Sequence, residues 1–355
     1  MIINQWIPAA HRGDAVGNQA RAMRDVLRRW GHESEIYALT IDEGLEGDIR
    51  QWRDDGARDG DVTVMHFALP SPMTAAIRTL PGARVLYYHN VTPAHFFLPF
   101  DPALVRLAVL ARRELAALAD RVDLAVGVSE YNRDELDALG FDRTDVLPIA
   151  VDTERLTGAR SVPALERLLT DGLVNILFVG RIAPNKKIED HIRLAETYKR
   201  YVDVSYRFIF VGRYDAVPHY NAAVRALVNE YQMLPDRFWF TGPVPDQELA
   251  AYYRHAHAYV SLSEHEGFCV PLVESMAMDV PILAYASTAV PETLGGAGVA
   301  FAPKDLEQAA EWLGALVYDE PLRQQVLAGQ RRRLADFSRD RFEARLKAVL
   351  AGVAA

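Results

Sequence analysis

Short runs of β-branched and aromatic residues alternate with longer amphipathic runs along the whole chain. A parallel strand reaches its neighbour only through a crossover of about a dozen residues or more, usually a helix. The alternation therefore predicts an α/β fold with doubly wound parallel sheets, and it argues against a sandwich or a bundle. Strands are expected at Ile2–Ile7, Glu35–Leu39, Val62–Phe67, Arg84–Tyr88, Leu124–Val128 and Val146–Ile149, with helices between them. Gly31 and Gly140 follow helical runs, Arg21–Trp30 and Glu130–Leu139, where a left-handed C-terminal position is needed. The pattern pauses at Ile149–Leu156, and Val162-Pro163 follows. Strands then resume at Asn175–Val179, Tyr206–Val211, Arg237–Thr241, Tyr259–Leu262 and Pro281–Tyr285. With 355 residues, half of them hydrophobic, two domains are expected. Their boundaries are placed at 1–155 and 156–335, with a separate last segment at 336–355. Two Rossmann-like domains would face each other across a cleft, with ligands at the carboxyl ends of the strands.

Net charge is −9, which argues against nucleic acid as a partner, because phosphate binding needs a broad basic surface. The single cysteine, Cys269, rules out an internal disulfide framework and suits a reducing compartment. Met1-Ile2-Ile3-Asn4-Gln5-Trp6 does not read as a secretory signal. No apolar run approaches the roughly 20 residues that span a bilayer. A cytoplasmic location is expected.

Chemistry concentrates after a buried strand, in Ser263-Glu264-His265-Glu266-Gly267-Phe268-Cys269-Val270-Pro271-Leu272-Val273-Glu274. Pro271 suits the first helical position, which would set the amides of Phe268, Cys269 and Val270 near the positive end of a helix dipole. Gly267 permits close approach of a ligand, and Glu266 and Glu274 offer carboxylates to sugar or ribose hydroxyls. An ordinary strand-to-helix turn with acidic residues is the plainer alternative.

This stretch resembles the retaining glycosyltransferases of family 4, the group 1 type with the GT-B fold, in its Glu-Gly-Phe-x-x-Pro-x-x-Glu form. The resemblance implies that Glu266 contacts the donor sugar, that Glu274 holds the ribose hydroxyls, and that the amides of Gly267, Phe268, Cys269 and Val270 meet the hexose and diphosphate. A second match is Gly180-Arg181-Ile182-Ala183-Pro184-Asn185-Lys186-Lys187. Its guanidinium and ammonium would neutralise a departing diphosphate. The family often has Lys-Gly where this chain has Lys186-Lys187, so Lys186 is assigned to the phosphates and Lys187 is left open. A solvated basic loop is the alternative for such a pair taken alone.

In the first half, Arg12-Gly13-Asp14-Ala15-Val16-Gly17-Asn18-Gln19 reads as a loop between the first strand and its helix, with Gly17 as the donor contact. It lacks the Gly-x-Gly-x-x-Gly pattern of a dinucleotide-binding unit. His89, at a strand end, resembles the family histidine that meets the donor sugar, although a lone histidine is usually structural. Asn90, Thr92 and Ser129 are assigned to the acceptor. Gly212-Arg213-Tyr214 and Gly242-Pro243-Val244 occupy places where the family surrounds the nucleobase, so Arg213 and Val244 join the donor set. Asp59-Gly60-Asp61 precedes its strand, at the wrong end for a metal-bound diphosphate, and no His or Cys ligand spacing appears. The alanine-rich segment Pro102–Arg121, with Arg106, Arg112 and Arg113, reads as a flanking helix with solvated arginines, peripheral contact with an anionic membrane being the alternative.

The resemblance thus implies a retaining, metal-independent hexosyltransferase without a cofactor, whose partners are a nucleotide diphosphate sugar and a carbohydrate, lipid-linked or small-molecule acceptor. The first domain would bind acceptor and the second donor, and the last helix, near Ser338–Ala351, would return to the first domain. A nucleotide-sugar 2-epimerase and a non-catalytic sugar-nucleotide binder remain alternatives on the same fold.

Overall fold

The computed structural model describes residues 1–11, 13–233 and 235–354. The chain divides into two compact units. The first comprises Met1–His95, Pro102–Ala150 and Phe337–Ala355, and the second Phe96–Asp101 and Val151–Asp336. The division falls at Ala150 rather than at the expected residue 155, and a short piece of the first half, Phe96–Asp101, groups with the second unit.

The first unit is built on seven parallel strands: β1 (Ile3–Ala10), β2 (Ile36–Ile41), β3 (Arg50–Gln51), β4 (Val62–Phe67), β5 (Ala83–Tyr88), β6 (Leu124–Gly127) and β7 (Thr144–Val146). They lie in the order β3-β2-β1-β4-β5-β6-β7. Every residue of β4 is buried, as expected of a central parallel strand covered on both faces by helices. On one face Trp6, Met65, Phe67, Tyr88 and Leu136 form an apolar cluster. On the other, Leu346, Val349 and Leu350 of the terminal helix Arg339–Ala354 close over Val64, Val85 and Val126. That helix is tied to the sheet edge by Arg345, which donates to the Val146 carbonyl at 2.7 Å and pairs with Asp145.

The second unit carries β8 (Val174–Val179), β9 (Tyr206–Val211), β10 (Phe238–Gly242), β11 (Ala258–Ser261), β12 (Ile282–Tyr285) and β13 (Val299–Phe301) in the order β10-β9-β8-β11-β12-β13. Chain direction across the sheet therefore reverses at β1/β4 in one unit and at β8/β11 in the other. In open parallel sheets ligands bind beyond the carboxyl ends of the strands at such reversals.

Several expected boundaries shift for identifiable reasons. β1 runs on through Pro8 to Ala10, because its registered pairs with β2 include Ile7 with Ala38 and Ala9 with Thr40 and skip the residue that lacks an amide proton. The loop expected at 12–19 is correspondingly short. Asp14 accepts from the Gly17 amide at 3.2 Å and starts a helix at Ala15, well before the expected Arg21. Arg12 lies outside the described residues. β7 sits two residues upstream of the expected start, because polar Thr144 and Asp145 pair with β6 at the sheet edge. The short edge strands β3 and β13 are additions to the sequence reading. The helix expected to reach Arg121 spans Pro102–Ala116. Gly31 and Gly140 do take left-handed backbone, at φ +82° and +84°.

Behind the β8/β11 reversal, three strand ends are packed backbone to backbone. The Gly180 amide donates to Val211 at 2.9 Å and the Gly212 amide to Gly242 at 3.0 Å. A Cβ on Gly212, at φ +139°, would stand 2.2 Å from the Gly180 carbonyl oxygen, so only glycine fits. Gly212→Ala is expected to cost about 3 kcal/mol or more, since neither carbonyl nor φ can yield cheaply. Gly329→Ala, in the helix Glu320–Leu334 with its nearest neighbour atom 3.9 Å away, is expected to stabilise by about 0.5–1 kcal/mol. Denaturant midpoints of the two variants should move in opposite directions.

Candidate functional site

Two loops meet at the β8/β11 reversal of the second unit. The first follows β8 and ends in a single 3₁₀ turn, Pro184–Lys186. The second follows β11 and enters the helix Val270–Ala277. Asn185 staples them: its side-chain amide donates to the His265 carbonyl at 3.0 Å, and its own carbonyl accepts from the Glu264 amide at 2.9 Å. Asn185 was not singled out by the sequence reading, because an asparagine in a Pro-Asn-Lys turn looks like ordinary turn chemistry.

This staple brings Lys186 to Glu266. The ammonium sits 2.5 and 2.6 Å from the two carboxylate oxygens, with the side chains only 18% and 8% exposed. Two residues given separate ligand roles from sequence are thus each other's partner. Arg181, by contrast, is exposed and pairs with no described carboxylate. Lys187 takes left-handed backbone at φ +52° and bonds Glu189 at 3.0 Å. A left-handed site favours glycine, which explains why Lys-Gly suits this turn. Burial alone would lower the Lys187 ammonium, but Glu189 and Glu264 outweigh it and hold the group above its ordinary value.

A second wall of the β11 loop comes from residues 287–293, which the sequence reading did not assign. The Thr288 hydroxyl accepts from the Glu266 amide at 2.8 Å and donates to its carbonyl at 2.9 Å, Ser287 donates to Ser263, and Thr293 donates to Phe268 at 2.6 Å. The turn is set by Cys269, left-handed at φ +69°, so the helix opens at Val270 with Pro271 as its second residue. The Cys269 thiol is buried, and burial pushes its ionisation upward.

Glu274 is buried on the same helix. It accepts from the Tyr253 hydroxyl at 2.8 Å and pairs with Arg155, which also binds Asp246. Burial raises the Glu274 carboxyl above its usual range, opposed by Arg155 and Tyr253. Arg155 had no signal in the sequence, since it lies in the segment read as a pause between domains. Arg213 is exposed and pairs with Asp215 at 3.2 Å. Val244 lines a shallow hollow with Trp239, Phe240, Thr241, Glu248 and Tyr252.

In the first unit, Gly17 lies in the opening turn of the helix Ala15–Arg29, its amide engaged by the Asp14 cap rather than held on an open loop. His89 follows β5. Its Nε2 lies 2.9 Å from His66 Nδ1, His66 Nε2 lies 3.0 Å from Gln5 Oε1, and Gln5 Nε2 donates to the Ala20 carbonyl at 2.9 Å. The other ring nitrogen of His89, Nδ1, is buried without a hydrogen-bond partner among the described residues. Burial lowers His89 to about 3 and holds His66 well below its ordinary value, so both rings are neutral near pH 7. Asn90, left-handed at φ +82°, accepts from Asn132 at 3.3 Å. Thr92 is half-buried two residues on.

Ser129, assigned to the acceptor from sequence, caps the helix Glu130–Ala138. Its hydroxyl is buried, accepts from the Asn132 amide at 3.2 Å and donates to the Asn132 side chain at 3.1 Å. Arg112, expected to be solvated, instead bonds Glu135 at 2.9 Å and the Val91 carbonyl at 3.1 Å. Asp61, of the acidic triplet, accepts from the Ile2 amide at the amino-terminal end of the sheet. Among the described residues no group of three or more His, Cys, Asp or Glu side chains is placed to hold a metal ion, and no helix is long and apolar enough to cross a membrane.

Comparison with known proteins adds the following. Residues 168–333 match the family described as Glycosyl transferases group 1. A GDP-mannose-dependent alpha-mannosyltransferase of Mycolicibacterium smegmatis is 35% identical over 302 residues, covering 76% of this chain and 76% of that protein. The O-antigen chain mannosyltransferase B of Escherichia coli is 24% identical over 210 residues, covering 58% of this chain and 54% of its own length. The chain spans about half the length of the first curated relatives it matches. Among solved structures, sucrose-phosphate synthase from Thermosynechococcus elongatus superposes with a TM-score of 0.75 over 99% of this chain and 98% of its own, at 15% identity, a likeness of fold.

The Arg155–Glu274 pair generates a pH-dependent expectation. Because the folded state raises the Glu274 carboxyl, this group's contribution is fully present below the unfolded carboxylate range and is lost as pH rises through the folded value. Arg155→Met removes the cation that limits the rise. The variant is expected to be less stable than the parent by about 3 kcal/mol at pH 8, as when one partner of a buried pair is deleted, with a smaller deficit at pH 5. Urea unfolding of both proteins at the two pH values measures this; an equal deficit at both would mean that Arg155 acts through packing alone.

Proposed function

This chain belongs to the glycosyl transferases group 1 family, and we propose that it moves a hexose from a nucleotide diphosphate sugar to an acceptor hydroxyl, with retention and without a metal. The observation that carries the reading is the Lys186–Glu266 pair at the β8/β11 reversal, with exposed Arg181 on the same loop and buried Glu274 one helix turn beyond Val270. A diphosphate leaving group needs cations that are not fully committed elsewhere, and Arg181 offers a planar fork for it.

The donor we favour is GDP-mannose, on the names of two relatives called GDP-mannose-dependent alpha-mannosyltransferases. Glu266 holds the sugar and Lys186, drawn between carboxylate and phosphate, offsets the charge that develops on the leaving oxygen. Glu274 accepts the ribose hydroxyls. Each carboxylate oxygen has two lone pairs, so Arg155 and Tyr253 leave it capacity. The amides of Gly267, Phe268, Cys269 and Val270 face the diphosphate and hexose, Gly180 lets the β8 loop approach them closely, and Arg213 and Val244 flank the base. His89 contacts the donor sugar, Gly17 lies beside it, and Asn90 and Thr92 serve the acceptor. The acceptor is a glycan, a lipid-linked glycan or a small molecule. Exposed Leu107 and Leu110 beside Arg106 and Arg113 support peripheral contact with the inner face of an anionic membrane.

In the reaction the acceptor oxygen bonds to the anomeric carbon on the face from which the phosphate oxygen departs. The bond to that phosphate oxygen breaks, and the acceptor's proton passes to the departing diphosphate. No protein nucleophile and no cofactor is required.

Titration with GDP-mannose and with UDP-, ADP- and dTDP-sugars in the presence of EDTA tests the reading, since a ligand bound only by the native state raises apparent stability. A selective shift with GDP-mannose is expected, and release of GDP on adding acceptor. Arg181→Ala is expected to lose about 2 kcal/mol of transition-state stabilisation or more, roughly thirtyfold in kcat/KM. Glu274→Ala should weaken nucleoside diphosphate binding without acceptor. A changed sugar with no acceptor present would favour an epimerase, and binding without either reaction a non-catalytic binder.

A further inference from the structure

The side-chain chain Gln5–His66–His89 has a direction that its first member dictates. The Ala20 carbonyl can only accept, so the Gln5 NH₂ must face it and the Gln5 oxygen must face His66. His66 Nε2 therefore carries a proton. A neutral His66 then presents a bare Nδ1, which can only accept, so the proton shared with His89 belongs to His89 Nε2. The two rings lie within 10° of coplanar with their nitrogens 2.9 Å apart, the geometry of one in-plane hydrogen bond. What remains at the end is His89 Nδ1, a buried lone pair without a partner.

The surroundings offer this lone pair no substitute. Tyr87 packs against both rings, at 4.4 Å from His89 and 5.3 Å from His66, but its hydroxyl donates to the Leu147 carbonyl at 2.7 Å and accepts from Gln19 at 3.2 Å. Burial independently keeps both histidines uncharged, which is the state the geometry requires. Buried acceptors are rarely left empty, and one kept so by three other side chains and a helix carbonyl is suited to a ligand's hydroxyl.

We infer that Gln5 and His66 are positioning residues that fix His89 in the neutral, Nε2-protonated tautomer, so that its Nδ1 accepts a hydrogen bond from a hydroxyl of the donor sugar. The identity of the ligand rests on the transferase reading above; the tautomer does not. The relay sits on the two strands that flank the β1/β4 reversal, with His89 just beyond β5, so rigid sheet backbone sets its geometry.

The test uses the full chain. Nitrogen-15 histidine spectra at pH 7.5, assigned by the loss of signals in His66→Asn and His89→Asn, should show His66 and His89 both neutral and both protonated at Nε2. In Gln5→Met the acceptor that orients His66 is gone, and His89 is expected to acquire an Nδ1-protonated population. Affinity for the nucleotide sugar should fall about tenfold, the scale of one neutral hydrogen bond, while affinity for the free nucleoside diphosphate stays within about twofold. Gln5→Glu sets an anion beside His66 Nε2, which favours a protonated His66 that donates through Nδ1, and should therefore shift His89 to the Nδ1-protonated form and lower affinity for the nucleotide sugar as Gln5→Met does. Nδ1 protonation of His89 in the wild type, or an unchanged tautomer in Gln5→Met, would overturn the relay. Equal losses of sugar-bearing and sugar-free nucleotide would overturn the sugar contact. Should the wild type bind neither nucleotide, the transferase reading fails and takes the sugar contact with it, and the wild-type tautomer still decides the relay.

Discussion

Two carboxylates buried near the head of one sheet need cations beside them, and the second unit is arranged around meeting that need. Glu266 and Glu274 both lie within the protein, where an unpaired carboxylate would be far less stable than in water. Lys186 reaches Glu266 from the loop after β8, and Arg155 reaches Glu274 from the segment that opens the unit. For Lys186 to arrive, its loop must be pinned to the β11 loop by Asn185, and the strand ends behind must close as tightly as Gly180 and Gly212 allow. For Glu266 to stay, its backbone is held from the other side by Thr288. Each of these contacts follows from placing two negative charges inside the protein.

Much of the architecture was readable in the amino-acid order because both sheets are parallel and buried on two faces. Strands such as Val62–Phe67 and Tyr206–Val211 announce themselves as apolar runs, and their limits matched the structure residue for residue. Edge strands did not. Arg50–Gln51 is polar and two residues long, and Thr144–Val146 overlaps the expected Val146–Ile149 at one residue only, because polar Thr144 and Asp145 carry its pairing with β6. The first strand was expected to end at Ile7, yet the ladder skips Pro8 and runs on to Ala10.

Of the site, the residues that carry distinctive chemistry in a motif were legible: Arg181, Lys186, Glu266 and Glu274. Their supports were not. Asn185, Arg155, Thr288 and the Gln5–His66 pair act through partners about 22 to 119 positions away, and no local pattern encodes such a meeting. Ser129 shows the converse. A serine opening a helix suggested ligand contact, whereas its hydroxyl is spent on the helix itself. Lys187 shows how one backbone angle can explain a departure from a family's habit, since a left-handed lysine occupies the place where glycine would rest without strain.

The first unit is assembled from three separate stretches, the last of them Phe337–Ala355, whereas nearly all of the second is the continuous run Val151–Asp336. On a ribosome the second unit is therefore complete before the first. Phe342, Leu346 and Val349, three buried side chains on one face of the helix Arg339–Ala354, emerge only after the whole of the second unit. Until they do, Val64, Val85 and Val126 lack part of their cover, so the nascent first unit must wait with an uncapped sheet face while its younger neighbour already has its whole chain available.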